Sequence, residues 1–457
     1  MPIKITFEEI SQITNLNLVS NIDCSENELI SLHAFGTNMN FPNLLEFNCS
    51  YNNLTVLPDN MNFPNLTQFI CTDNQLTSLP DNMNFPNLEE FNCSDNQLTS
   101  LPDNMNLPNL QIFSCNNNQL TLLPNNMNFP NLLIIDCNNN QLRFIPDNMN
   151  FHNLHTFNCD NNQLTALPDM NFPNLRKFHC SNNNLTALPN MNFHNLEEFH
   201  CSYNNLTTLH DMNLPNLETL YCSYNNLTAL HDMNLPNLQT FNCSSNNLTS
   251  LQALPCGSSV ARCAPDNMNY PNLQEFNCSN NDLTSLPNMN FPNLETFWCS
   301  NNKLTLLPDN MNFPNLKRFS CKNNKLTSLP ACILNFKNLE CFHHHCNEYT
   351  DLSPQMEQFI DIKKDQGYIK RDLCFTEDLN VIKLLLEEGM DIDGWCICGH
   401  TAIHYHAKEG NFDIVKYLLS KGADVNKKSI YRDDIYKDAL AWGQSEIYEY
   451  LIKNKSQ

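Results

Sequence analysis

The chain has 457 residues, with 48 acidic against 25 basic side chains and a net charge of −23. A surface this acidic repels phosphate, so neither nucleic acid nor an acidic lipid surface is expected as a partner. The opening MPIKITFEEISQITNLNL lacks a basic start followed by an apolar stretch, and no apolar run reaches membrane-span length, so a cytoplasmic protein with reduced cysteines is expected.

Residues 1–18 are read as an N-terminal cap, because a periodic pattern starts directly after them. The phrase FNCSYNNLTVLP at 47–58 returns as FHCSYNNLTTLH at 199–210 and as LYCSYNNLTALH at 220–231. Its cysteine recurs at Cys24, Cys49, Cys71, Cys93, Cys115, Cys137, Cys159, Cys180, Cys201, Cys222, Cys243, Cys278, Cys299 and Cys321. The spacing is 21 or 22 residues, except 25 at the first gap and 35 after Cys243. A period of this length signals a solenoid.

The alternation Phe47, Asn48, Cys49, Ser50 has strand period and predicts Phe47 and Cys49 inward. Successive copies would stack as a parallel sheet. The chain must then turn at Asn52, whose amide is expected to satisfy backbone groups that burial would leave unpaired. The counterparts of Asn52 are Asn27, Asn74, Asn96, Asn118, Asn140, Asn162, Asn183, Asn204, Asn225, Asn246, Asn281, Asn302 and Asn324. On the return side, LTVLPDNMNFPNL places Leu57, Met61 and Phe63 inward. Pro58 and Pro64 there predict extended or single-turn pieces in place of a long helix.

Read from Leu44, the unit LLEFNCSYNNL follows L-x-x-L-x-L-x-x-N-x-L, with Phe in the second leucine slot and Cys in the third. It resembles a leucine-rich repeat. The resemblance implies repeat solenoids, beginning with a leucine-rich-repeat horseshoe over 19–350 built of about 14–15 units around a parallel β-sheet. Leu339, Phe342, His344, Asn347 and Tyr349 make a degenerate fifteenth unit with His in the cysteine slot. The extra residues 252–264, QALPCGSSVARCA, are read as a surface loop leaving the solenoid beyond the strand. Ser353-Pro354 followed by QMEQFIDIKK predicts an N-capped helix within a capping segment and linker at 351–370.

The stretch 399–426, GHTAIHYHAKEGNFDIVKYLLSKGADVN, resembles an ankyrin repeat, with Ala402 in place of the usual proline and His406 in place of an alanine. A shift of 33 residues aligns Leu385, Leu418 and Leu451, and likewise Val381, Ile414 and Ile447. An all-α ankyrin array over 371–457 is therefore expected, with about three units of which the first is imperfect. Thr401 and His404 are expected to hydrogen-bond within the turn and toward a neighbouring unit.

No catalytic constellation emerges, so an enzyme is not expected, nor a cofactor or a metal. The repeated cysteine occupies a leucine slot, where free cysteine packs as a small apolar side chain. Cys341, His343, His345 and Cys346, with Cys332 nearby, are zinc-ligand types, but their spacing fits no zinc signature. The same holds for Cys396, Cys398, His400, His404 and His406, and redox chemistry at Cys256 and Cys263 has equally little support.

Partner recognition is sought at the outward positions of each unit, three and one residues before the cysteine and one and two after it, on the concave face. Most are Asn or Ser. Lys177, His179, Glu198, His200, Tyr203, Tyr221 and Tyr224 depart from that background on three consecutive units. A second group is Trp298, Lys317, Arg318 and Lys322, and a third, apolar group is Ile70, Ile112 and Ile134. Each group is either a protein contact or the drift of repeats that bind nothing. Asn-rich leucine-rich repeats joined to ankyrin repeats resemble the repeat proteins of large DNA viruses that infect amoebae, or of their hosts. That resemblance implies a monomeric protein-binding scaffold at a virus–host interface, in the host cytoplasm if viral. The alternative is a substrate adaptor for a ubiquitin ligase complex, although 1–18 and 430–457 contain no F-box-like segment.

Overall fold

The computed structural model describes residues 18–32, 40–251, 267–365, 373–374, 379–394, 400–429 and 434–454, apart from position 388 and short breaks on the return side between 60 and 234. The expected cap (save Leu18), the insertion at 252–264, and Cys396 and Cys398 lie outside the described residues. The chain forms two compact units, Met1–Met356 and Glu357–Gln457.

In the first unit, fifteen short strands from Asn21–Asp23 to Cys341–His343 form one parallel sheet in sequence order. The register is constant, pairing Ile22 with Phe47, Phe47 with Phe69, and so on to Phe319 with Phe342. The insertion does not break the sheet, since Phe241 pairs directly with Phe276. Each strand is only three residues long and ends directly before its cysteine, where the chain turns out of the sheet. The return side is extended where described, with one short 3₁₀ turn at Ala331–Asn335 and a two-stranded pairing of Asn267–Asn269 with Asn288–Asn290. Two prolines per coil remove N–H donors and hold φ, which disfavours helix there.

The core consists of two columns of rings. The strand column stacks Phe47 on Phe69 at 5.5 Å and Phe69 on Phe91 at 5.4 Å. The return column stacks Phe63 on Phe85 at 5.8 Å, and the two columns meet edge to face, as for Phe69 and Phe85 at 5.8 Å and 82°. Leu54, Leu66 and Cys49 fill the space between and are fully buried. Each buried Phe or Leu stabilises by about 1.5–3 kcal/mol, and only the neighbouring coils supply the burial.

The asparagine ladder does what an interior amide must. Asn162 Nδ2 donates to the carbonyls of Cys137, Cys159 and Asp160 at 3.1, 3.2 and 3.1 Å, and its Oδ1 accepts from Leu142 N–H at 2.9 Å. Asn52, Asn74 and Asn96 repeat this pattern three to five coils earlier, and Asn324 near the far end. The degenerate fifteenth unit keeps it too, with Asn347 donating to Cys321 O at 3.0 Å. A second, exposed ladder escaped the reading of the sequence. The asparagine of each Pro-Asn-Leu or His-Asn-Leu triplet donates to the carbonyl of the preceding coil, as Asn65 does to Pro42 at 2.7 Å and Asn174 to His152 at 2.9 Å.

In the second unit, helices Ala402–Glu409 and Phe412–Ser420 form one hairpin, and Ile435–Ala441 and Ser445–Asn454 the next, after the helix Leu379–Glu387. Ile382, Leu385, Ile403, Val415, Leu418, Ile447 and Leu451 share their core. Gly410 ends its helix at φ 81°, a left-handed conformation that favours glycine. The helix Pro354–Asp365 starts after Ser353, whose Oγ accepts from Met356 N–H at 3.2 Å as an N-cap.

Candidate functional site

The backbone first sorts the outward positions by what they can vary. The residue directly after each cysteine is largely covered, with Ser50 and Ser94 each 3% exposed. The position lies on the outward face, where Ser50 Oγ donates to Asn48 Oδ1 at 2.6 Å, but its neighbours cover it. Lys322, counted in the second outward group, sits in this position and is 7% exposed. The next residue has left-handed φ in every coil, from Tyr51 at 53° to Asn323 at 53°. Asn and Asp tolerate that conformation better than other side chains, so the recurrent asparagines there reflect backbone demand. The residue before the cysteine is also conformationally employed. As Asn48, Asn92 or Asn242 it accepts the N–H two residues on, at 3.0 Å in each case. Asparagine at these outward positions is thus structural, and departures from it give up a local stabilising feature.

The departures in the first group converge. Strands Lys177–His179, Glu198–His200 and Thr219–Tyr221 are neighbours, with His179, His200 and Tyr221 in one row. The rings of His179 and His200 stack at 4.2 Å and 5°, and Tyr221 meets His200 edge-on at 4.7 Å. One turn further on, Tyr203 stacks on Tyr224 at 4.1 Å, both in left-handed conformation at φ 54° and 53°.

Glu198 is the hub of the row. Lys177 Nζ lies 2.8 Å from its Oε2, and His179 Nε2 and His200 Nε2 lie 3.2 and 3.1 Å from its Oε1. Hydrogen bonds from His179 and contact with His200 hold its carboxyl well below the usual range, against the opposing effect of burial. His200 Nε2 is buried and close to that oxygen but lacks the alignment of a hydrogen bond. Burial pushes the His200 pKa down, and Glu198 only partly offsets this. Burial raises the Tyr221 phenol. It raises Asp160 in the adjoining coil to about 6, with His179 and the Ser181 N–H opposing.

The other groups behave differently. In the second, Arg318 Nε donates to Thr296 Oγ1 at 2.9 Å and Lys317 pairs with Glu295 at 2.8 Å, while Trp298 is half-buried. Its charges are already used within the sheet face. In the third, Ile112 and Ile134 are paired neighbours, but the strand Glu90–Asn92 separates them from Ile70, so the expected apolar cluster does not form as one patch.

The repeated cysteines are free and buried, and burial raises their thiols, Cys93 and Cys321 to about 12. Cys159 Sγ donates to His179 O at 3.3 Å, so some of these thiols also tie adjacent coils together. At the end of the sheet, Cys341 Sγ lies 3.5 Å from His343 Nε2, while the His344 ring lies 4.9 Å from that of Phe342 at a 35° tilt and Cys346 is exposed. Among the described residues, three potential metal-ligand groups come within 4.8 Å of one another only at His179, Glu198 and His200. The repeat frame places these three residues on one face, whereas the zinc-ligand types noted in the sequence lie at 341–346 and 396–406.

In the second unit Thr401 Oγ1 and His404 Nδ1 are 2.7 Å apart, and both residues are buried. His406 makes the longer bridge, with Nε2 2.7 Å from Leu373 O and Nδ1 3.1 Å from Asn411 Nδ2. A carbonyl can only accept, so Nε2 carries the proton and Nδ1 accepts from the amide. This histidine is structural.

Comparison with known proteins agrees with this architecture. Residues 373–457 match the family model for ankyrin repeats (3 copies), and residues 215–256 and 271–310 match that for leucine-rich repeats (2 copies). Two ankyrin repeat proteins of fowlpox virus are similar over short stretches, 39% identical over 59 residues and 30% over 97 residues, or 13% and 21% of this chain. The chain spans only 16% and 14% of their lengths. Its fold is similar to a leucine-rich-repeat protein of Leptospira interrogans, with 26% identity and TM-score 0.59 over 80% of this chain and 99% of that one. It is also similar to YopM, a leucine-rich effector protein from Yersinia pestis, with 28% identity and TM-score 0.56 over 77% of this chain and 88% of that one. The protein is thus a parallel β-solenoid of stacked leucine-rich coils with a helical ankyrin region after it. Repeats of both kinds are generally non-enzymatic and bind protein partners.

Proposed function

We propose that this protein is a non-enzymatic scaffold that binds a protein partner through the sheet face around His200, in the cytoplasm and at a virus–host interface. The single observation that carries this reading is the row His179, His200 and Tyr221 beside the stacked pair Tyr203 and Tyr224. Aromatic side chains held rigidly on adjacent strands offer contact area at low entropic cost, which is the usual character of binding hot spots. The two tyrosines occupy a backbone conformation that elsewhere in the array goes mainly to Asn, Asp or Ser. Such a residue gives up roughly 1 kcal/mol of backbone preference. The pair accepts that cost while presenting two stacked rings on the sheet face, which supports a contact role.

The viral setting draws on the fowlpox virus relatives of the ankyrin region and on the resemblance of the Asn-rich repeats to proteins of amoeba-infecting viruses. The test is affinity capture with mass spectrometry, using the wild type and a His200→Ala/Tyr221→Ala/Tyr224→Ala variant. A partner retained by the first and lost from the second is the expected result. Identical partner sets would remove the patch from the argument. Recovery of a cullin complex by both proteins would instead identify a ubiquitin ligase adaptor.

A further inference from the structure

We infer that His179, His200 and Glu198 form a site for a divalent transition-metal ion of the zinc class on the outer sheet face. Parallel register places His179 directly beside His200, and Glu198 two residues before His200 on the same face. Side chains two residues apart on a strand point the same way, so all three reach over one spot.

The distances suit a shared ion. Zinc bonds to imidazole nitrogen and carboxylate oxygen are about 2.0–2.1 Å, so the edge of a tetrahedron of ligands is about 3.3 Å. Glu198 Oε1 lies 3.2 Å from His179 Nε2 and 3.1 Å from His200 Nε2, and all three atoms lie within 4.8 Å of one another. His200 Nε2 is buried against that oxygen without a hydrogen bond of its own. An ion between them would use that lone pair.

The surroundings supply the orientation a metal site needs. Lys177 Nζ holds the other carboxylate oxygen at 2.8 Å, which aims Oε1 at the two rings. Asp160 in the adjoining coil adds a carboxyl group electrostatically coupled to His179. Two imidazoles and one carboxylate form a mixed N/O set suited to zinc and its neighbours, in contrast to the all-oxygen sets of calcium and magnesium. Three protein ligands leave a fourth position open toward solvent. Two adjustments are required. His179 Nε2, which donates to Glu198 Oε1 at 3.2 Å, must give up its proton before it can ligate. The imidazoles now stack in parallel, 5° apart, and must tilt for both Nε2 lone pairs to converge.

The test uses the full chain stripped of metal by a chelator, then titrated with Zn²⁺ by calorimetry and with Co²⁺ by visible absorption. Cobalt separates this site from cysteine sites, because a His₂Glu site gives ligand-field bands without the near-ultraviolet thiolate charge-transfer band. The wild type should take up one more equivalent than the His179→Ala/His200→Ala variant. Glu198→Gln, which keeps the shape of the side chain, should weaken that equivalent by at least about 10-fold. Circular dichroism confirms that both variants are folded, and the side chains replaced are part-exposed. Equal stoichiometry and affinity in all three proteins would overturn the inference. So would a Co²⁺ spectrum showing only thiolate-bound metal. Loss of a protein partner from the His200/Tyr221/Tyr224 variant without metal binding by the wild type would sink this inference and leave the scaffold reading standing.

Discussion

Replacing Asn162 by alanine and by aspartate separates the two halves of the ladder's work. The amide donates to three carbonyls and accepts from Leu142 N–H at 2.9 Å, and the residue is 8% exposed. In Asn162→Ala the carbonyls keep other donors, because Asn140 still reaches Cys137 O at 3.1 Å and Asn183 still reaches Cys159 O at 3.0 Å. The Leu142 N–H loses its acceptor, which costs about 1–3 kcal/mol. With the void left by the missing amide, the total is about 2–4 kcal/mol.

Asn162→Asp keeps the shape and the acceptor for Leu142. It removes the donors and sets a carboxylate oxygen against three carbonyl oxygens. An uncompensated buried charge costs about 3–5 kcal/mol, so aspartate should be worse than alanine at pH 7.5. Its folded-state pKa must lie above the unfolded value, so the native protein binds the extra proton. The penalty therefore shrinks as pH falls through the folded pKa, because the protonated acid can donate again. Urea denaturation followed by circular dichroism, at pH 7.5 and at pH 5.5 (both above the pI of about 4.8), measures this. Asn174→Ala in the exposed ladder is the control and should cost no more than about 1 kcal/mol. An aspartate variant as stable as the alanine variant at pH 7.5, or a gap unchanged at pH 5.5, would refute the reasoning.

Asp160→Asn should stabilise at pH 7.5, because burial raises Asp160 from 3.8 to about 6 and the folded state resists its charge. The full shift corresponds to about 3 kcal/mol, and partial exposure reduces it to about 1–2 kcal/mol. Native stability at this group falls as pH rises from about 4 to 6, so the gain should fade toward pH 4. Denaturation midpoints of both proteins at pH 7.5 and 5.5 check the sign, and a loss of stability at pH 7.5 would contradict it. Cysteine labelling is a further check. Iodoacetamide at pH 7.5 should modify the exposed Cys346 quickly and the buried strand cysteines such as Cys49, Cys159 and Cys321 only after unfolding, as intact and peptide mass spectrometry would show. Ladder cysteines labelled at the rate of Cys346 would mean that the coils open freely.

Much of this protein is legible one residue at a time because its solenoid contacts repeat at a fixed spacing. The period, the inward Phe and Cys, the Asn52-type amide and the ankyrin hairpins all follow from patterns that local physics enforces in every copy. Asn52 could be assigned to backbone work because a buried amide has few alternatives. The Pro-Asn-Leu asparagine was missed because its partner, a carbonyl one coil away, leaves no mark in its own unit.

The sheet face was only partly legible for the same reason. Position relative to the cysteine predicted which side chains point outward, but it could not show that Ser50 is covered or that Tyr51 must adopt left-handed φ. Those facts depend on how the chain bends out of the sheet. The meeting of His179, Glu198 and His200 at one carboxylate oxygen is likewise a tertiary fact. The sequence by itself determined that they share a face, through strand period and repeat length. Only the stacked register decided that atoms 19 positions apart, on His179 and Glu198, lie 3.2 Å from one another, because the distance between coils is set by backbone hydrogen bonding and not by separation along the chain.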